Sequence, residues 1–201
     1  KRIWDAHGVR EYLSDARILL FHDVITAAKA AGLNFAGKNV ADVGSGTGYL
    51  LRLLVGEGPA RLVGYDVYNA LNVVASVVCP SAEIRASNLY AIPGEAHDIV
   101  FCMETLEHQV DPAGALKHLM NYRNRDGTLV LTVPDGRVDS LESVGKYPEG
   151  TGYYGHINFW SIESLTYLLN ATFGSDFTVR TMAIGNQKSN LMAIVDVRHG
   201  E

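Results

Sequence analysis

Asp42-Val43-Gly44-Ser45-Gly46-Thr47-Gly48 is the stretch on which the reading of this chain turns. Asn39-Val40-Ala41 runs into it and, with Asp42 and Val43, makes a short apolar strand. Tyr49 to Val55 follows it as a helix, ended by Gly56 and Gly58. Glycines at such a junction let the backbone turn sharply and come close to a ligand. The junction lies at the carboxyl end of a strand, where open α/β sheets bind their ligands. A second strand, Ala60 to Tyr65, ends at Asp66, 22 residues after Gly44. A carboxylate there can accept hydrogen bonds from both ribose hydroxyls. A glycine trio alone describes only a tight turn. Strand, glycine loop, helix, strand and acid in that order describe a nucleoside site.

The spacing narrows the nucleoside. Dinucleotide sites use Gly-x-Gly-x-x-Gly and face a pyrophosphate with a helix N-terminus. Here the order is Gly-x-Gly-x-Gly, and Tyr49 stands where the third glycine of that pattern would be. Asp42, two residues before Gly44, suits a cationic amino group and would repel a pyrophosphate. A nucleoside that bears an amino acid fits, which describes S-adenosylmethionine (SAM). A dehydrogenase is disfavoured by the same spacing.

Outward from the loop, strands and helices alternate. Residues from about Val9 to Ala31 read as helical and end at Gly32. Asn69 to Val78 is a helix stopped by Pro80, and Ala82 to Ala86 a third strand. Asp98 to Met103 is the fourth. Asp111 caps a helix with Pro112 in its first turn. Asp126-Gly127 predicts a turn into a fifth strand, Thr128 to Val133. Ser161 starts another helix, to about Phe173. Phe177 to Ile184 and Leu191 to Arg198 form a terminal hairpin. The expected fold is a doubly wound, Rossmann-like α/β sheet of seven strands, mostly parallel with an antiparallel end. One domain is expected over 1–201, with a helical cap at 1–37 and a lid loop at 135–157.

The 201 residues are 47% hydrophobic and 19% charged, with a formal net charge of −5. That balance argues against a broad nucleic-acid footprint. No run of about 18 apolar residues is present to span a membrane. The opening Lys1-Arg2-Ile3-Trp4-Asp5 has no signal-peptide core, so a cytoplasmic location is expected. The absence of an initiating Met is expected of a trimmed form of a longer chain. Cys79 and Cys102 are too few for a disulfide framework or zinc cluster, and Cys102 reads as a core residue.

Asp42-x-Gly-x-Gly-x-Gly48, Asp66, and Asp98-Ile-Val-Phe-Cys-Met-Glu-Thr-Leu-Glu-His-Gln-Val-Asp-Pro112 together resemble the class I SAM-dependent methyltransferases. The likeness covers roughly Lys38 to Phe173. It implies that Asp42, Gly44, Ser45, Gly46, Gly48 and Met103 border the methionine end of SAM. It implies that Asp66 takes the ribose, that Val67 lies beside the adenine, and that Ser87 and Asn88 lie near the adenine amine. Asn88 stands where many members carry Asp.

Glu104-Thr105-Leu106-Glu107-His108 follows the fourth strand directly. If Glu104 begins a helical turn, Glu104, Glu107 and His108 share one face. His156 precedes the last helix, at the same edge of the sheet. These four residues could hold a divalent cation such as Mg, Mn, Fe or Zn. Their pattern is similar to that of ubiquinone-pathway type O-methyltransferases, the nearest in motifs, and of small-RNA 3′-terminal 2′-O-methyltransferases. The plainer reading has Glu107 orienting backbone and His108 or His156 acting as a metal-free base. Tyr147, Tyr153, Tyr154, Phe159 and Trp160 give the acceptor side an aromatic character. The resulting expectation is methyl transfer to a small organic acceptor, most simply at oxygen. An RNA 2′-O-methyltransferase and a non-catalytic SAM- or nucleoside-binding module are the alternatives.

Overall fold

In a computed structural model of the protein, residues 15–91, 94–138 and 156–198 are described. Seven strands are present: β1 (Asn39–Val43), β2 (Arg61–Asp66), β3 (Glu83–Ala86), β4 (His97–Met103), β5 (Arg123–Pro134), β6 (Phe177–Ile184) and β7 (Asn190–Val197). Between them run α1 (Asp15–Ala30), α2 (Tyr49–Leu54), α3 (Asn69–Val78), α4 (Pro112–Leu119) and α5 (Ile162–Phe173). The strands form one sheet in the order β3-β2-β1-β4-β5-β7-β6. All neighbours are parallel except β5–β7 and β6–β7, which are antiparallel. This is the expected architecture. Strand order reverses between β1 and β4, and the crevice above that point is where such sheets hold ligands.

The inner strands are buried on both faces, which is why their sequences are continuous apolar runs. One face carries Leu20, Val24, Leu50, Leu51 and Leu54 from α1 and α2, packed on Val40, Phe101 and Ile194. The other carries Leu116, Leu119, Leu165 and Leu169 from α4 and α5, packed on Val43, Val100 and Leu131. Cys102 is fully buried among the second set, as expected. Two helix starts follow their sequence signals. Asp111 accepts a hydrogen bond from Gly114 N at 2.8 Å, and Ser161 and Ser164 form a reciprocal capping box.

The Asp126-Gly127 turn does not form. β5 begins at Arg123 and runs through both residues. Five residues of β5 step past two of β4 between the pairs His97↔Arg123 and Ile99↔Thr128, a bulge that absorbs the surplus. Gly127 is needed there because a Cβ would lie 2.8 Å from Asp98 O and 2.9 Å from His97 O. The first helix is described only from Asp15. Most of the expected lid, with Tyr147, Tyr153 and Tyr154, lies outside the described residues. Among the described residues, no helix is long and apolar enough to cross a membrane.

Candidate active site

The glycine loop leaves β1 at the carboxyl edge of the sheet. Gly44, Gly46 and Gly48 all have positive φ, at 85°, 52° and 75°. Gly44 is also pressed by a neighbour, since a Cβ there would collide with Thr105 Oγ1. Gly48 serves packing, because a Cβ would stand 3.0 Å from Ala75 Cβ on α3. The loop is tied to β2. Gly44 N and Ser45 N donate to Tyr65 O at 2.7 and 3.1 Å, and Gly46 N donates to Asp66 Oδ2 at 2.9 Å. Tyr68 N donates to Asp66 Oδ1 at 2.8 Å. Asp66 therefore braces the glycine loop as well as standing where the ribose was expected.

Asp42 lies under this loop, almost wholly buried. Its Oδ1 has no hydrogen-bond partner among the described residues, and neither does the buried Ser45 Oγ. Burial, and secondly the charge of Asp66, push the Asp42 carboxyl up to about 8. Burial also raises Asp66, against the backbone N–H groups of Tyr68, Gly46 and Val67 that hold its charged form. An unpaired buried carboxyl is costly unless a ligand completes it. A cationic amino group would do so. Orphaned Asp42, Ser45 and a positive-φ glycine cradle thus fit the methionine end of SAM.

Further along the same edge, Val67 is exposed, Ser87 is half-buried, and Met103 is buried. The 87–91 segment is shaped from beneath. Tyr122, fully buried, donates through its hydroxyl to Asn88 O and Ala91 O at 3.1 and 3.0 Å. Asn88 Oδ1 accepts from Tyr90 N at 2.9 Å, which occupies its amide oxygen locally.

The expected metal group is assembled in part. Glu107, His108 and His156 each place a ligand atom within 4.8 Å of the other two. His108 Nε2 and His156 Nε2 both stand 3.8 Å from Glu107 Oε1, and the two rings are 4.7 Å apart. Glu107 is buried, whereas His108 reaches the surface. Backbone bonds join the two segments. Ile157 N and Asn158 N donate to Glu107 O, and Asn158 Nδ2 donates to Gln109 O at 2.7 Å.

Glu104 departs from the expectation of a shared helical face. Its φ is +48°, so it ends β4 in the left-handed region, and only Leu106–His108 forms a helical turn, of the 3₁₀ type. Its Oε1 accepts from Thr132 Oγ1 at 2.8 Å and its Oε2 from Asn190 Nδ2 at 3.0 Å. Burial raises its pKa, opposed first by the charge of Arg17, then by those two donors and His156. It thus belongs to a neighbouring polar cluster formed by β5, β7 and α1. Trp160 also departs, since it is buried in the core rather than lining an acceptor site. Thr105, Asn158 and Asn190 escaped the sequence reading. Thr105 lies inside the Glu104–His108 stretch, but nothing in the sequence around Asn158 marks a residue that bonds to backbone 49 positions away.

A family model described as a methyltransferase domain matches residues 10–175. The tRNA U34 carboxymethyltransferase of Campylobacter lari is 26% identical over 149 residues, 71% of this chain and 50% of that protein. The ubiquinone biosynthesis O-methyltransferase of Neisseria meningitidis serogroup C is 31% identical over 139 residues, 64% of this chain and 56% of that protein. The chain spans about half the length of the curated relatives it matches. Several further relatives are also tRNA U34 carboxymethyltransferases, so the ubiquinone-pathway likeness is one of two rather than the nearest. A SAM-dependent methyltransferase from Aquifex aeolicus superposes with a TM-score of 0.73 at 19% identity, covering 97% of this chain and 100% of that one. A plantazolicin methyltransferase solved with S-adenosylhomocysteine superposes at 0.75 and 14% identity, covering 96% and 91%. At these identities the likeness shows the fold.

Proposed function

The chain belongs to the methyltransferase-domain family, and on that premise we propose that it transfers a methyl group from SAM to an oxygen of a small organic acceptor. The observation that carries this reading is the convergence of Glu107, His108 and His156 at the sheet edge that also bears the glycine loop. Asp42 would take the amino group of SAM, with Gly44, Ser45, Gly46 and Met103 around the methionine end. Asp66 would take the ribose, and Val67, Ser87 and Asn88 the adenine end. Bound there, SAM supplies an electrophilic methyl on a sulfonium sulfur.

Methyl transfer is an in-line displacement, so the chain contributes chiefly by holding the acceptor oxygen on line. Such positioning can be worth roughly 7–11 kcal/mol. An alcohol acceptor must also lose its proton. One carboxylate and two imidazoles form a donor set suited to Zn, Mn or Fe, with positions left open. A cation held by Glu107, His108 and His156 would supply Lewis acidity that lowers the pKa of the acceptor hydroxyl. Without it, His108 or His156 within the same cluster would accept that proton. His156→Ala separates the two. On the metal reading it lowers bound divalent ion, measured by elemental analysis and by titration with Mn or Zn alone, while SAM affinity stays. Full turnover in a metal-stripped preparation would assign the proton to a histidine instead.

A second reading takes RNA as the acceptor, favoured by the relatives that modify tRNA U34. Radiolabelled methyl transfer distinguishes the two. Label in total tRNA and none in a panel of small hydroxyl compounds would replace the small-molecule acceptor by RNA.

A further inference from the structure

α3 reads Asn69-Ala70-Leu71-Asn72-Val73-Val74-Ala75-Ser76-Val77-Val78 and carries no charged residue. Leu71 and Ala75 are its buried positions, so a solvated helix would show charge on the opposite side. Val73 and Val77 stand there instead, one turn apart, 68% and 75% exposed. Beside this helix, β3 is the outer strand of the sheet, and among the described residues nothing pairs with its far side.

The free edge has a definite phase. Ser87 N donates to Asp66 O, and Asp66 lies opposite Ala86 in the parallel register. Bonding alternates along a strand, so Glu83 and Arg85 bond to β2, while Ile84 and Ala86 turn their N–H and C=O outward. The Ile84 side chain packs on the face covered by α1 and α2. Glu83 and Arg85 project from the other face, where Arg85 Nη2 donates to Glu83 Oε2 at 2.7 Å and its guanidinium lies 5.9 Å over the Tyr65 ring. Within the chain Glu83 also accepts two hydrogen bonds from Arg61, both at 2.9 Å, and Arg85 pairs with Glu95 at 2.6 Å, so these side chains are held in place before any second copy arrives.

Two copies meeting at such an edge about an axis normal to the sheet run antiparallel and keep the same face up. Centred on Ile84, the two Ile84 residues exchange both N–H···O bonds. Glu83 of each copy then stands opposite Arg85 of the other, an arrangement of opposite charges that favours pairing. Charged residues normally guard an edge against other strands. Here one acid and one base stand two residues apart, so the edge does not repel a second copy of itself, and in the antiparallel register each charge meets its opposite. The same axis sets the two α3 helices beside each other on one face, where each can cover the valines of the other. From this charge and register complementarity we infer that the β3 edge and the α3 valine face form an isologous interface with a second copy of this chain.

The test is sedimentation velocity on the full chain at micromolar concentration. The wild type runs as a two-chain species. Val77→Asp buries a charge at the centre of the helix contact and yields single chains. Glu83→Arg sets like charges opposite each other and does the same, as does Arg85→Glu, and an equimolar mixture of these two variants restores the pair as a mixed species. Circular dichroism melting shows that each variant is folded, and Val77→Asp, remote from the ion pairs, decides the matter if Glu83→Arg does not fold. A single-chain wild type overturns the inference, and so does a two-chain species indifferent to Val77→Asp. A mixture of the two folded single variants that stays single-chain overturns the register.

Discussion

The ionisation of Asp42 makes cofactor binding depend on pH in a direction that can be worked out. In the free protein its carboxyl is pushed up to about 8 by burial and by Asp66, so at neutral pH it is mostly neutral. Pairing with the cationic amino group of SAM requires the ionised form. Each unit of pH below 8 then adds a cost of ~1.4 kcal/mol, or about tenfold in affinity. Calorimetric titration with SAM or S-adenosylhomocysteine should therefore show affinity rising about tenfold from pH 6 to pH 7 and levelling toward 8. Over that interval an α-amino group, with a pKa of about 7.7–8.0 in model compounds, stays largely charged. Binding should release a proton, seen as a heat that varies with the ionisation enthalpy of the buffer. For folding the sign is opposite. The neutral buried carboxyl stabilises the free protein most below its ordinary value of 3.8, and that contribution is lost as pH rises through about 8. Asp42→Asn should flatten the binding profile and weaken affinity above pH 7. A wild-type affinity that is flat from pH 6 to 7.5 would refute the assignment of Asp42 to the amino group.

Two further predictions test the scaffold of the site. Gly44→Ala combines a left-handed φ of 85° with a collision against Thr105, so it should cost at least ~1–2 kcal/mol in stability and abolish SAM binding, read by thermal melting with and without ligand. A variant that binds SAM normally would show that the loop does not need its glycine. Tyr122→Phe removes the hydroxyl that Asn88 O and Ala91 O share, and should lower stability by ~1–2 kcal/mol and weaken S-adenosylhomocysteine more than methionine itself. Equal weakening of both ligands would detach Tyr122 from the adenine side.

The parts of this molecule that local patterning controls were legible in its sequence. The glycine loop, Asp66, the Asp111 and Ser161 caps and the strand–helix alternation are each set by residues within a few positions, and each is found where the pattern put it. The misreadings arise where distant segments meet. Asp126-Gly127 looks like a turn, yet Gly127 is there because the β4 carbonyls of His97 and Asp98 pass too close for a side chain. Glu104 reads as the start of a helical turn with Glu107 and His108. Its backbone N instead donates to Thr132 O, and its carboxylate is held by Thr132 and Asn190 from two other strands. Trp160 looked like a ligand-facing aromatic, but its parallel bridge to Asp135 draws it into the core. His156 met Glu107 as expected because its segment precedes α5, which must pack on the same sheet face as α4.

Native mass spectrometry of the protein mixed with equal amounts of SAM and NAD tests the central claim most directly. The account predicts one SAM per chain, no retained NAD, and loss of the SAM adduct in Asp42→Asn at neutral pH. A chain that retains NAD and leaves SAM free would contradict it.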